Sequence, residues 1–202
     1  MRKLFTKNFS LNSIGIILIV FGISRILQLA LFGEPIHIFW FCNHILVFMG
    51  IAILCRSSFW LIGEFALLFF GQFFWIISFL LYWVFGIVMP GSSAHLIYNS
   101  AFINLISILV HFLTLPLGFI AILLLKKKSK FAWKGSLVHF ILLLPFILYF
   151  GAFYNLNCVL KPCFAMIPDF SLYPFAIILT YLFITIIPTV YLCNYFIKKL
   201  KK

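Results

Sequence analysis

The chain has 202 residues, 65% of them hydrophobic, 20% aromatic and 9% charged, with a formal net charge of +12. Soluble domains carry about 25% charged residues, and fifteen basic with three acidic side chains cannot coat a water-facing surface. A soluble globular fold is excluded, and so is disorder, which needs low hydrophobicity; residues 1–202 read as one integral membrane domain.

The basic residues stand in short runs at the ends of apolar segments. They are Arg2, Lys3 and Lys7, then Lys126, Lys127, Lys128, Lys130 and Lys134, then Lys198, Lys199, Lys201 and Lys202. That distribution marks cytoplasmic loops facing anionic headgroups. A nucleic-acid surface needs an exposed folded basic patch, and no stretch here forms one. Membrane lipids are the expected partners, and nucleic acid is not.

Spanning the hydrocarbon core takes about 20 apolar residues of helix. The first candidate is Leu11–Phe32. Basic residues precede it, as in a signal peptide. It is too long for such a segment, contains Arg25 and lacks a small-x-small cleavage site, so it reads as a retained helix. Arg25 and Gln28 are three apart and share a face. By the helical rise Arg25 lies about 21 Å from the cytoplasmic start, toward the outer leaflet. There it either snorkels to headgroups or turns inward to hold a carboxylate or lipid phosphate.

The second span, Ile38–Leu54, is short and opens with His37, Cys42 and His44. Cys42 and His44 are about 200° apart around a helix, so a partner for Cys42 must come from another element. The third segment, Phe59–Met89, has no polar break and would reach about 46 Å as one straight helix. One crossing puts thirteen of the fifteen basic residues on one side, with Lys161 alone outside and Arg25 within a span. Two crossings would part the lysine-rich loop from the N-terminal tail. The fold class is therefore an all-α polytopic transmembrane helical bundle of six spans, seven if Phe59–Met89 splits, with Gly71 or Gly86 as the place for a bend. Both termini are then cytoplasmic, and the location is an integral position in the cell membrane. Glu64, within this segment, reads as a neutral, hydrogen-bonded glutamate.

The fourth span, Ala101–Leu125, carries Asn104, Ser107, His111 and Thr114 as one polar stripe. The stripe suits either packing between helices or a site. Ser136–Tyr154 is the fifth span, with a kink expected at Pro145, and Leu172–Ile197 the sixth. The exterior loops are Gly33–His37, Pro90–Ser100 and Asn155–Ser171; in the last, Cys158 and Cys163 are either a disulfide or two free thiols. Helix six has no lysine for a retinal Schiff base.

Polar groups inside a bilayer are costly and mark functional candidates. Here they form a cluster opening toward the outer half: Arg25, Gln28, Cys42, His44, Asn104, His111 and Asn155, with Ser107 on the same stripe.

The run Ile36–His44, with its cysteine early in the second span, resembles the Pro-Leu-His-Leu-Cys motif of the YwaF-like integral membrane proteins. That family is similar to a six-to-seven-span acyltransferase of ether phospholipids. His111, and Tyr154-Asn155-Leu156-Asn157-Cys158 followed by Lys161-Pro162, resemble its later signature. The resemblance implies acyl transfer or hydrolysis on lipids, with Cys42 as nucleophile and His111 as general base. Arg25, Gln28, His44, Asn104, Ser107 and Asn155 would then bind substrate, some of them as oxyanion donors. No metal or cofactor is needed for that chemistry. Two other readings stand beside it. One is a membrane redox protein holding haem or a metal through His44 and His111. The other is a non-catalytic protein that binds or transports a lipid or small molecule.

Overall fold

The structure is a computed structural model that describes residues 2–32, 35–87, 101–154, 160 and 172–201; at 2–5, 101–104 and 151–154 it describes the backbone alone. Among these residues every regular element is helical. They are α1 (Arg2–Phe32), a 3₁₀ turn (Pro35–Phe39), α2 (Phe41–Leu54), α3 (Ser58–Phe85), α4 (Ala101–Leu125), α5 (Ala132–Tyr154) and α6 (Tyr173–Lys199). Five of the helices are long and apolar enough to cross a bilayer, and α2 is a shorter apolar one of 14 residues. The protein is an all-α, multi-pass membrane bundle. Its outer surface agrees: Trp83, Tyr149, Phe175 and Phe183 are all at least 60% exposed, which suits lipid rather than water.

The long third segment is one helix. Gly71 lies inside it without a break, and the helix ends at Gly86, whose φ of 67° is the left-handed cap that glycine adopts without strain. At its start the Ser57 hydroxyl accepts from the Trp60 backbone N–H. α5 begins four residues earlier than its apolar run suggests. Lys134 there lies 5.0 Å from the Phe131 ring centroid, its ammonium over the aromatic face, so the first turn bears a charge at the membrane edge.

The basic segments meet at one end of the bundle. Arg56, between α2 and α3, donates to Asn12 on α1 at 2.7 Å. The Ser136 hydroxyl on α5 donates to the Gly63 carbonyl on α3 at 2.7 Å. Asn194 on α6 accepts from the Ser129 N–H in the lysine-rich loop at 2.9 Å. The start of α1, both short loops and the end of α6 therefore share this basic end, which is the arrangement that six crossings produce.

In a bilayer helices associate by close packing, and small residues let backbones approach. α1 and α2 use them. A Cβ on Gly50 would stand 2.6 Å from the Gly15 carbonyl, and one on Gly22 would stand 2.6 Å from Val47. This antiparallel register sets Arg25 beside the first turn of α2.

Prolines shape the remaining helices. Pro116 and Pro145 lie inside α4 and α5 without ending them. In α6, Pro188 has no N–H to offer the Ile184 carbonyl, and the turn before it, Tyr181–Ile186, is wound as a π-helix.

Candidate functional site

Two polar networks lie inside the bundle, and both grip the turn that leads into α2. The first centres on Arg25, which is 6% exposed. Its Nε–H donates to Asn43 Oδ1 at 3.1 Å, and its Nη1 donates to Gln28 Oε1 at 2.6 Å. Asn43 in turn donates from Nδ2 to the His37 carbonyl at 2.6 Å. A guanidinium has five N–H hydrogens, so about three have no hydrogen-bond acceptor among the described residues. Gln28 is 4% exposed, and its Nε2 also lacks a partner. Among the described residues no carboxylate pairs with Arg25.

Position along the helices explains why this matters. Arg25 is thirteen residues beyond Asn12, which Arg56 holds at the basic end, so it stands about 20 Å into the bundle. It is also about 10 Å short of the end of α1 at Phe32. The 3₁₀ turn therefore lies within the depth of α1, and Phe39 seals it from α5 by stacking on Phe146, with centroids 4.8 Å apart. The positive end of α2 faces the same region as the guanidinium.

The second network is a chain of three side chains from three helices. Glu64 Oε2 on α3 lies 2.6 Å from His139 Nδ1 on α5. His139 Nε2 lies 3.0 Å from His44 Nε2 on α2. His44 Nδ1 lies 2.8 Å from the Ile38 carbonyl in the 3₁₀ turn. Glu64 is 1%, His139 5% and His44 8% exposed. A carbonyl has no hydrogen, so Nδ1 of His44 carries one and donates it. Phe41 and Phe48 cover the imidazole pair.

The α4 stripe faces inward: Ser107, His111 and Thr114 are all buried. Two of the three also bond locally. His111 Nδ1 donates to the Ser107 carbonyl at 2.7 Å and its ring stacks on Trp75, with centroids 3.8 Å apart. Thr114 donates to the Val110 carbonyl, which also accepts from Gln72 Nε2. Ser107 Oγ and Gln72 Oε1 have no partner among the described residues.

The structure thus joins Arg25 to Gln28, and it places His44 beside His139. Cys42 is half-buried with a free thiol, and Arg25 and Tyr181 are within electrostatic reach of it. No hydrogen bond joins Cys42 to His111. His44 faces His139 rather than His111, and among the described residues no group of three or more His, Cys, Asp or Glu side chains is arranged to hold a metal ion. The side chain of Asn104, Asn155, and the Cys158 and Cys163 pair lie outside the described residues.

Asn43 is the member that sequence reasoning passed over, and His139 is one it weighed as a haem ligand without finding Glu64 and His44 as its partners. Asn43 sits between two residues singled out for their chemistry, yet it is the one that meets Arg25. The Glu64–His139 contact follows from helix starts at Ser58 and Ala132, which put the two residues six and seven positions in from the same end. Starting α5 at Ser136 hides that match.

Compared with known proteins, the chain matches no family model, and no curated protein or solved structure matches it significantly.

Proposed function

We propose that this membrane protein binds an anionic lipid headgroup, with Arg25 holding its phosphate in the half of the bilayer away from the basic end. One observation carries the reading: a guanidinium 6% exposed with no carboxylate partner among the described residues. Keeping a charge out of water costs several kcal/mol unless it is paired, and two neutral acceptors offset only part of that. Guanidinium donors matched to two oxygens favour phosphate. Gln28 Nε2 and the first turn of α2 offer further donors at the same place.

Cys42 stands beside this site, as a nucleophile for acyl chemistry would. Among the described residues no histidine or carboxylate is hydrogen-bonded to its thiol, so binding, rather than acyl transfer, is the function the geometry supports best.

The test is binding of short-chain phosphatidylglycerol to protein in a neutral detergent, followed by intrinsic tryptophan fluorescence, with a variant keeping Trp40 as its only tryptophan to report on the site. Arg25→Gln should weaken binding about tenfold or more, the worth of one charge-assisted hydrogen bond. Arg25→Lys keeps the charge without the fork and should fall between. Equal affinity in wild type and Arg25→Gln would overturn the proposal.

A further inference from the structure

The geometry points to a proton-binding chain, Glu64–His139–His44, that takes up a proton when an anion binds beside Arg25; this rests on the anion-binding reading above. The chain has three links, and each needs one hydrogen: Glu64 to His139, His139 to His44, and His44 to the Ile38 carbonyl. The third hydrogen is fixed on His44 Nδ1. With His44 neutral, its Nε2 is a lone pair, so His139 donates from Nε2. The remaining hydrogen lies between Glu64 and His139, giving either a carboxylic acid with a neutral imidazole or a carboxylate with an imidazolium. Both forms hold three hydrogens and are neutral as a unit.

A fourth proton, drawn from solvent, forms one new N–H or O–H bond, breaks none, and leaves the unit with a charge of plus one. Unless it sits on the Glu64 oxygen outside the chain, it places two hydrogens in one link, so the His44–His139 contact must open or the Glu64 carboxyl must turn. That strain falls on a shared part. His44 holds the Ile38 carbonyl, and its neighbour Asn43 holds both the His37 carbonyl and Arg25. The new charge also joins a bundle in which Arg25 has no carboxylate partner among the described residues, and an anion beside Arg25 attracts both charges. Binding of anion and proton is therefore mutually favourable, and the coupling is reciprocal.

Titratable or charged groups on the elements packed around the chain include Arg25 on α1, His37 on the 3₁₀ turn, Cys42 on α2, Tyr82 on α3, His111 on α4, Lys134 and Tyr149 on α5, and Tyr181 and Cys193 on α6, with Lys7, Lys198 and Lys199 at the basic end. Arg25 is the one that shares the turn's hydrogen bonds with His44. Lys134 lies at the basic end over its aromatic neighbours, and His111 is engaged with Ser107 and Trp75.

Calorimetric titration with short-chain phosphatidylglycerol near neutral pH, repeated in buffers of different ionisation enthalpy, counts the protons exchanged. This phosphodiester does not itself titrate there, and soluble glycerol phosphodiester headgroup forms a second arm to separate a lipid from a free phosphate source. Uptake of a fraction of a proton, up to about one per ligand, is expected from linkage. His139→Gln should reduce the uptake counted per bound ligand, and the double variant His44→Gln/His139→Gln should remove it, whatever the affinity of that variant. Arg25-dependent binding without proton uptake, or uptake unchanged in the double variant, overturns the linkage alone. Absence of Arg25-dependent binding in both arms overturns the linkage and the anion site together.

Discussion

Replacing Glu64 separates the two things a buried carboxyl does: it fills space and it completes a hydrogen-bond chain. Glu64 is 1% exposed, and its Oε2 lies 2.6 Å from His139 Nδ1. Glu64→Ala leaves that imidazole nitrogen buried without a partner, which costs about 1–3 kcal/mol. The lost side chain adds a cavity cost, so the total is about 3–5 kcal/mol. Glu64→Gln behaves differently, because an amide N–H donates to Nδ1 as a carboxylic acid does. All three links survive, and the expected cost is within about 1 kcal/mol. Stability is read from denaturation in mixed micelles, with thermal midpoints in detergent used for ranking, since heating membrane proteins is commonly irreversible. The order wild type, Gln, then Ala, with most of the loss in the last step, is expected. Gln and Ala equally damaged would refute the shared-proton chain, because the carboxylate charge itself would then be indispensable. An undisturbed Glu64→Ala would refute the buried link altogether.

Three further outcomes test other parts of the structure. Gly50→Ala brings a Cβ to 2.6 Å from the Gly15 carbonyl, which is backbone and cannot turn aside, so a loss of about 1–3 kcal/mol by overpacking is expected in the same denaturation assay. Gly86→Ala meets open space but forces a side chain into φ 67°, and should cost about 1 kcal/mol; a larger loss than Gly50→Ala would contradict the packing described. In a variant keeping Cys55 as its only cysteine, an impermeant maleimide should label inverted vesicles and spare right-side-out cells, because exposed Cys55 lies at the basic end; the opposite pattern would reverse the orientation.

The number of crossings was legible because charge sorts by side and because apolar runs have membrane length. Phe59–Met89 was the doubtful segment: the even count implied by the lysine runs favoured one crossing but left a bend or split open, and the structure makes Ser58–Phe85 one helix. The inward stripe of Ser107, His111 and Thr114 was legible from period alone. Arg25 and Gln28 were legible as a pair for the same reason, being one turn apart on one helix. What links different helices was not legible. Asn43 meets Arg25 because Gly15, Gly22 and Gly50 fix the register of α1 on α2. Glu64 meets His139 because α5 starts at Ala132, where a lysine and a tryptophan mask the helix start. Such contacts depend on helix ends and rotation, to which one residue adds about 1.5 Å and about 100°.

The most direct test of the anion site is native mass spectrometry of the protein released from micelles holding equal amounts of phosphatidylglycerol and phosphatidylcholine. The two lipids share a phosphate, but only the first has a net charge to offset a buried guanidinium. A single phosphatidylglycerol adduct on the wild type, absent from Arg25→Gln, is the expected result. Equal retention of both lipids, or the same adduct on the variant, would contradict it.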